Sequence, residues 1–225
     1  MKRSLLIIPL IIVLVGFGQA FAFGPIIYNN GGIQQGLSGN ETTEWVQADD
    51  FILRLGGTVG DAGVYLATDQ TAGNPVSVWD GTLQYFIFAN NGGMPGTLLA
   101  SGIGQNITTT DTGIPWGFGG NNWLFEFDLQ NPFNAAPGTE YWFGIHLSNN
   151  FDRDGIYWTQ TNDLPGNARE SEGGTFNNWA TSPPNGEERA YFLTGQSGEI
   201  PEPATMLLLA SGLIGILGLR KKFRK

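Results

Sequence analysis

Residues 122–129 read NWLFEFDL, and their order decides the fold. In an extended chain Trp123, Phe125, Phe127 and Leu129 share one side, while Asn122, Leu124, Glu126 and Asp128 share the other. Successive side chains of a strand point to opposite faces, so a period of two is the mark of a half-buried strand. The stretch TEYWFGIHL at 139–147 repeats it, setting Tyr141, Phe143, Ile145 and Leu147 against Trp142, Gly144 and His146. Further strands are expected at 45–55, 63–67, 76–79, 82–89, 97–101, 155–160 and 188–194, eight to ten in all. Between residues 23 and 200 no run shows a capped 3.6-residue apolar period. NNGG at 29–32 and 90–93, and GFGGNN at 117–122, supply the Asn and Gly that tolerate positive φ at corners. Pro-Gly pairs at 95–96 and 137–138 stand just before strands. Many short strands with such turns predict an all-β protein, an antiparallel β-sandwich of jelly-roll type.

The two ends have a different texture. Lys2 and Arg3 precede the apolar run SLLIIPLIIVLVGFG, and Ala20 and Ala22 place small residues where a signal peptidase cuts. That order predicts a secretory signal peptide over 1–22, helical in its apolar part, with an uncleaved N-terminal anchor as the alternative. At the other end an apolar run over 204–219 is followed by Arg220, Lys221, Lys222, Arg224 and Lys225. Basic flanks stay cytoplasmic, so the body is expected outside the inner membrane and residues 220–225 inside. As a helix this run would measure roughly 24 Å against a hydrocarbon core of ~30 Å, short for a permanent span.

Between the ends, residues 23–195 are expected to form one domain and residues 196–200 a short linker. The 23–200 stretch holds four arginines, no lysine and nineteen acids, a formal charge of −15 that the whole-chain value of −9 conceals. So acidic a body repels nucleic acid and anionic lipid. There is no cysteine, which excludes disulfides, thiol catalysis and Cys-based metal sites.

Pro201-Glu202-Pro203, the glycine-containing apolar run and the basic cluster together resemble the PEP-CTERM sorting signal of Gram-negative bacteria, here over 201–225. The resemblance implies an exosortase partner, removal of the tail near Pro201-Glu202-Pro203, and an association with exopolysaccharide and biofilm matrix. An ordinary short tail anchor is the alternative. WVQADDFIL at 45–53, GGMPGTLLASG at 92–102, GTEYWFGIHL at 138–147 and ERAYFLTG at 188–195 look like the all-β ectodomains that precede this tail.

Chemistry is sparse. His146 is the single histidine, so a Ser-His-Asp set has one base to build on and zinc has too few ligands. It reads as a surface or packing residue. Nineteen acids offer carboxylate pairs for glycoside hydrolysis without singling one out. Asn150, Asp152 and Asp154, followed by Gly155, match the first half of a calcium loop, but Thr161 stands where a bidentate acid belongs. Either a structural calcium or a plain acidic turn fits, and no other cofactor is expected. Asp49-Asp50 is a second oxygen source or a solvated strand start. All seven tryptophans lie in the body. Trp116 in a glycine-rich loop, Trp142 on an outer sheet face and Trp179 in FNNWATSPPNG are candidates for stacking on sugar rings, with core filling as the alternative. Trp123 and Trp158 read as core. The leading expectation is a non-enzymatic surface or matrix protein, next a carbohydrate-binding module, then a glycan-active enzyme.

Overall fold

The computed structural model of the chain describes residues 24–33, 38–69, 73–161, 166–182 and 187–198. The expected signal peptide over 1–22 and sorting tail over 201–225, with its membrane run at 204–219, lie outside the described residues.

Twelve strands are present among them: β1 (Ile26–Asn29), β2 (Gly39–Glu41), β3 (Trp45–Ile52), β4 (Gly57–Thr68), β5 (Gln84–Asn90), β6 (Pro95–Pro115), β7 (Asn121–Ala135), β8 (Glu140–His146), β9 (Ile156–Thr159), β10 (Arg169–Glu172), β11 (Ala180–Thr181) and β12 (Tyr191–Ser197). Every pairing is antiparallel. The order is β1-β12-β4-β7-β6-β5-β8-β3-β10-β11, with β9 beside β4 and β2 beside β9. The sheet is thus a single antiparallel ribbon curled into two leaves, which face each other as the expected sandwich.

β6 makes the corner. Its first half pairs with β5 as far as Ile103, and from Gly104 onward it pairs with β7. A Cβ on Gly104 would lie 2.9 Å from the Phe127 ring and 3.1 Å from Leu83, so only glycine lets the strand pass that close to the core. Just beyond, the ladder slips between Gln105 and Thr108, and Asn106 takes φ 50° there. Asn is the non-glycine residue best suited to that left-handed position at a bulge.

The alternation in the two diagnostic stretches places side chains as expected. Phe125, Phe127 and Leu129 of β7 meet Tyr141, Phe143 and Ile145 of β8 across the interior. Val64 and Leu66 of β4, Tyr85 and Ile87 of β5, Trp158 of β9 and Tyr191 of β12 complete that core. Trp158 is fully buried, and Trp123 packs on the core from a half-buried position.

Two local expectations are corrected. Residues 76–79 do not form a strand, because Pro75–Ser77 is a 3-10 turn that Asn74 caps through Oδ1 on the Val76 N–H at 2.9 Å. An Asn-Pro pair closes a turn more readily than it continues a strand. The linker expected at 196–200 is also partly strand. β12 runs to Ser197, with Gln196 opposite Thr58 and Ser197 opposite Gly57, and Gly198 N–H donates to Gly56 O at 2.9 Å. A backbone ladder against β4 holds residues whose composition reads as flexible.

Candidate functional site

The outer face of the leaf made by β5, β8 and β3 is apolar. Phe86 and Phe88 of β5, Trp142 of β8, and Val46 and Ala48 of β3 form a second buried cluster outside the main core. Residues 173–182 fold over it, bringing Phe176 and Trp179 onto the sheet. Trp142, expected on an open outer face, is on that face but fully covered. Its Nε1 donates to Asn90 Oδ1 at 3.2 Å, and the Arg169 guanidinium carbon stands 5.9 Å from its ring centroid. Trp142 is a floor, and a ligand cannot reach its ring.

Of the three candidate tryptophans, Trp179 is the one that remains accessible. It is half-buried and meets Phe88 edge-on at 5.2 Å, while Phe176 lies parallel to it at 6.2 Å. Phe176 takes φ 53°, a left-handed backbone that a bulky aromatic adopts only when its surroundings force it. The packing of its ring against Phe86 at 5.0 Å and Phe88 at 5.2 Å supplies that force. Between this flap and the β5–β6 hairpin runs an open groove of about 710 Å³, lined by Trp179, Asn91, Thr97, Asn177, Asn178 and Met94 among others. That volume falls within the ~300–1,000 Å³ of small-molecule sites. A ring face beside three side-chain amides and a hydroxyl is the chemistry of a neutral, hydroxyl-rich ligand. The Trp179 Nε1 is buried without a hydrogen-bond partner among the described residues.

The other candidates lie elsewhere. Trp116, expected within reach of a ligand, is 5 % exposed, wedged between Phe118 at 4.9 Å and Tyr157 at 5.2 Å. It is Phe118, 67 % exposed, that meets solvent there. His146 is fully buried, its ring stacks on Phe151 at 4.2 Å, and its Nε2 sits 2.8 Å from Thr43 O. Burial holds its pKa below the ordinary value, so the imidazole is neutral and its proton stays on Nε2.

At the calcium-like stretch, Asn150 Oδ1 accepts from Ser148 Oγ at 2.8 Å and Asp152 N–H at 3.1 Å, while its Nδ2 donates to Asp152 Oδ2 at 3.2 Å. Asp154 is tied through its backbone N–H to Thr43 Oγ1 at 2.7 Å. A cation here would take the Asn150 oxygen from those two donors.

One cluster that no spacing in the chain announces joins Asp49 and Asp50 to Glu188, whose carboxylate oxygens lie within 4.8 Å of one another. Asp49 is fully buried, against the reading of a solvated strand start. Its carboxylate accepts from Arg189 N–H at 2.6 Å, Asp50 N–H at 2.9 Å and Asn30 Nδ2 at 3.0 Å, and Asn30 also donates to Glu188 at 2.9 Å. Burial, then the Glu188 charge, pushes the Asp49 carboxyl well above the ordinary range, and burial likewise raises Glu188. The fully buried Arg189 guanidinium has no hydrogen-bond partner among the described residues, and burial draws its pKa down to about 10. Its charge is what Asp49 and Glu188 face in place of solvent. The Asp49-Asp50 pair is visible in the sequence, but its meeting with Glu188 is created by β3 coming against the segment that leads into β12.

A PEP-CTERM protein-sorting motif matches residues 199–225. The chain therefore carries that sorting signal directly after β12, behind a β-rich ectodomain. No curated protein and no solved structure matches the chain.

Proposed function

We propose that this chain is exported, processed by exosortase near Pro201-Glu202-Pro203, and left at the cell surface or in the extracellular polysaccharide matrix as a non-enzymatic component. The sorting motif at 199–225 carries this reading. Removal of the tail explains why an apolar run of sixteen residues suffices: it has only to hold the chain until cleavage. The neutral, enclosed His146 supports a role without catalysis, since it has no room to take a proton from a substrate. The −15 body suits a hydrated matrix, where repulsion keeps copies apart. Intact mass of the protein recovered from the surface fraction of the producing bacterium is expected to end near residue 203. Material that still contains residues 206–225 would overturn the processing.

A second reading, a carbohydrate-binding module, is favoured by the groove beside Trp179. A neutral glycan chain suits it better than an acidic one, because the surrounding body is strongly negative. On a panel of matrix and surface polysaccharides, the processed protein is expected to bind one saturably. Trp179→Ala should weaken that binding at least about tenfold, or about 1.4 kcal/mol. Unchanged affinity in Trp179→Ala would remove the groove from consideration. Trp142→Ala is not a substitute test, because Trp142 is packed under the flap and its loss disturbs the fold.

A further inference from the structure

We infer that the β3–β4 turn, Ile52 to Gly56, is a lipid-contacting tip that rests on the surface of the inner membrane while the uncleaved chain is anchored there. This rests on the tail being a membrane anchor before cleavage. The first observation is where the body hands over to the tail. Gly198 N–H donates to Gly56 O at 2.9 Å, and Gly56 N–H and Gly138 N–H both donate to Leu53 O, at 3.0 and 2.9 Å. The chain exit, the β3–β4 turn and the β7–β8 turn are therefore one pole of the sandwich. A Cβ on Gly198 would lie 2.0 Å from Leu55 O, so the exit runs directly against that turn.

The second observation is the tether. Five residues separate Gly198 from Ala204, where the apolar run starts, so the six steps between them span at most about 22 Å of extended chain. The headgroup layer takes up roughly 5–8 Å of that distance. The pole cannot drift far from the bilayer. The entry side agrees, since Pro25 O accepts from Gly195 N–H at 3.1 Å, close to the same pole.

The third observation is the chemistry of that pole. Ile52 is 46 % and Leu55 41 % exposed, with exposed Arg54 between them. Residues 51–58, 131–139 and 195–198 contain no acid, in a body that has nineteen. Three acids border these segments: Asp50 before Phe51, Glu199 after Gly198, and Glu140, which stands opposite Ile52 in the ladder and accepts from Asn90 Nδ2 at 2.6 Å. Asp69, Asp80, Asp111, Asp152 and Asp154 gather toward the opposite end, where β4 and β8 finish and β7 starts, about 40 Å away along β7. An anionic bilayer repels the more acidic far end, while at this pole Arg54 can meet a lipid phosphate and Ile52 and Leu55 can enter the interface. After cleavage, two apolar side chains on so acidic a body are too little to hold it, and the protein leaves.

The chain has no cysteine, so single probes can be placed in the full-length protein. Leu55→Cys, Ala136→Cys and, at the far end, Phe118→Cys are each labelled with an environment-sensitive fluorophore. The labelled chains are reconstituted into phosphatidylethanolamine–phosphatidylglycerol vesicles. The emission at Leu55 and Ala136 is expected to shift to the blue and to be largely lost with lipid-borne quencher, while that at Phe118 responds to aqueous iodide alone. A chain that floats with the vesicles while its Leu55 and Ala136 labels behave like Phe118 overturns the tip and leaves the anchor standing. Labels shielded from both quenchers in the presence of exosortase, and open to iodide in its absence, mean a protein contact and overturn the lipid assignment. A chain that does not float overturns both anchor and tip.

Discussion

Trp158→Ala is expected to remove about 3–5 kcal/mol of stability, read as a fall in the denaturant midpoint with little change in slope. The indole is fully buried at the meeting of β9 with the interior, edge-on to Tyr191 at 5.4 Å and to Phe143 at 6.2 Å. Its Nε1 donates to Ala190 O at 3.0 Å, which ties β9 to the entry of β12. The substitution leaves a cavity bounded by strands of both leaves, and those strands are held in the curled ladder and cannot collapse into it. It also leaves the Ala190 carbonyl with one donor, the Tyr65 N–H at 3.2 Å, in place of two. Domains of this kind have about 5–15 kcal/mol in total, so the variant should sit near the edge of folding at 37 °C. A loss below about 1 kcal/mol would mean that the two leaves do not share one packed core.

The second large effect is a stability that falls as pH rises through the acid range and toward neutrality, the reverse of ordinary acid denaturation. Asp49 and Glu188 are raised by burial, and so are Glu41, Asp61, Glu126 and Glu140. A carboxyl whose pKa is higher folded than unfolded binds more protons in the folded state. Lowering the pH therefore favours folding until the unfolded chain is protonated too, near the ordinary carboxylate range. Asp80, drawn down by donors including the Asn149 and Thr82 N–H groups, works in the other direction. His146, held below its ordinary value by burial, opposes the trend as well, so two groups stand against six, and Asp80 lies near the surface. A single buried carboxyl made tenfold less acidic on folding is worth about 1.4 kcal/mol, and each kcal/mol moves Tm by about 2–4 °C in a chain of this size. Tm is expected to be higher at pH 5 than at pH 8. The general repulsion within a −15 body adds in the same sense. Glu188→Gln should flatten the profile, since it removes the charge that Asp49 faces next after its burial. A Tm that rises steadily from pH 5 to pH 8 would contradict the burial of these acids.

Sequence order alone determined β7 and β8 and their inward faces, because a half-buried strand must alternate and 122–129 and 139–147 do so. It also determined the sorting signal, whose proline pair, apolar run and basic cluster are contiguous and need no partner elsewhere in the chain. The position of the tryptophans was beyond it. Trp142 lies on the face that alternation assigns, but whether that face is open depends on residues 173–182 folding back over it. The groove at Trp179 exists only between that flap and the β5–β6 hairpin, which are far apart in the chain. The joining of Asp49 to Glu188, and of Gly198 to the Leu53–Gly56 turn, has the same cause. Alternation records which way a side chain points from its own strand, and that is local. What covers the side chain, and which distant backbone stands next to it, is set by how the ribbon curls at β6, and only the tertiary structure decides that.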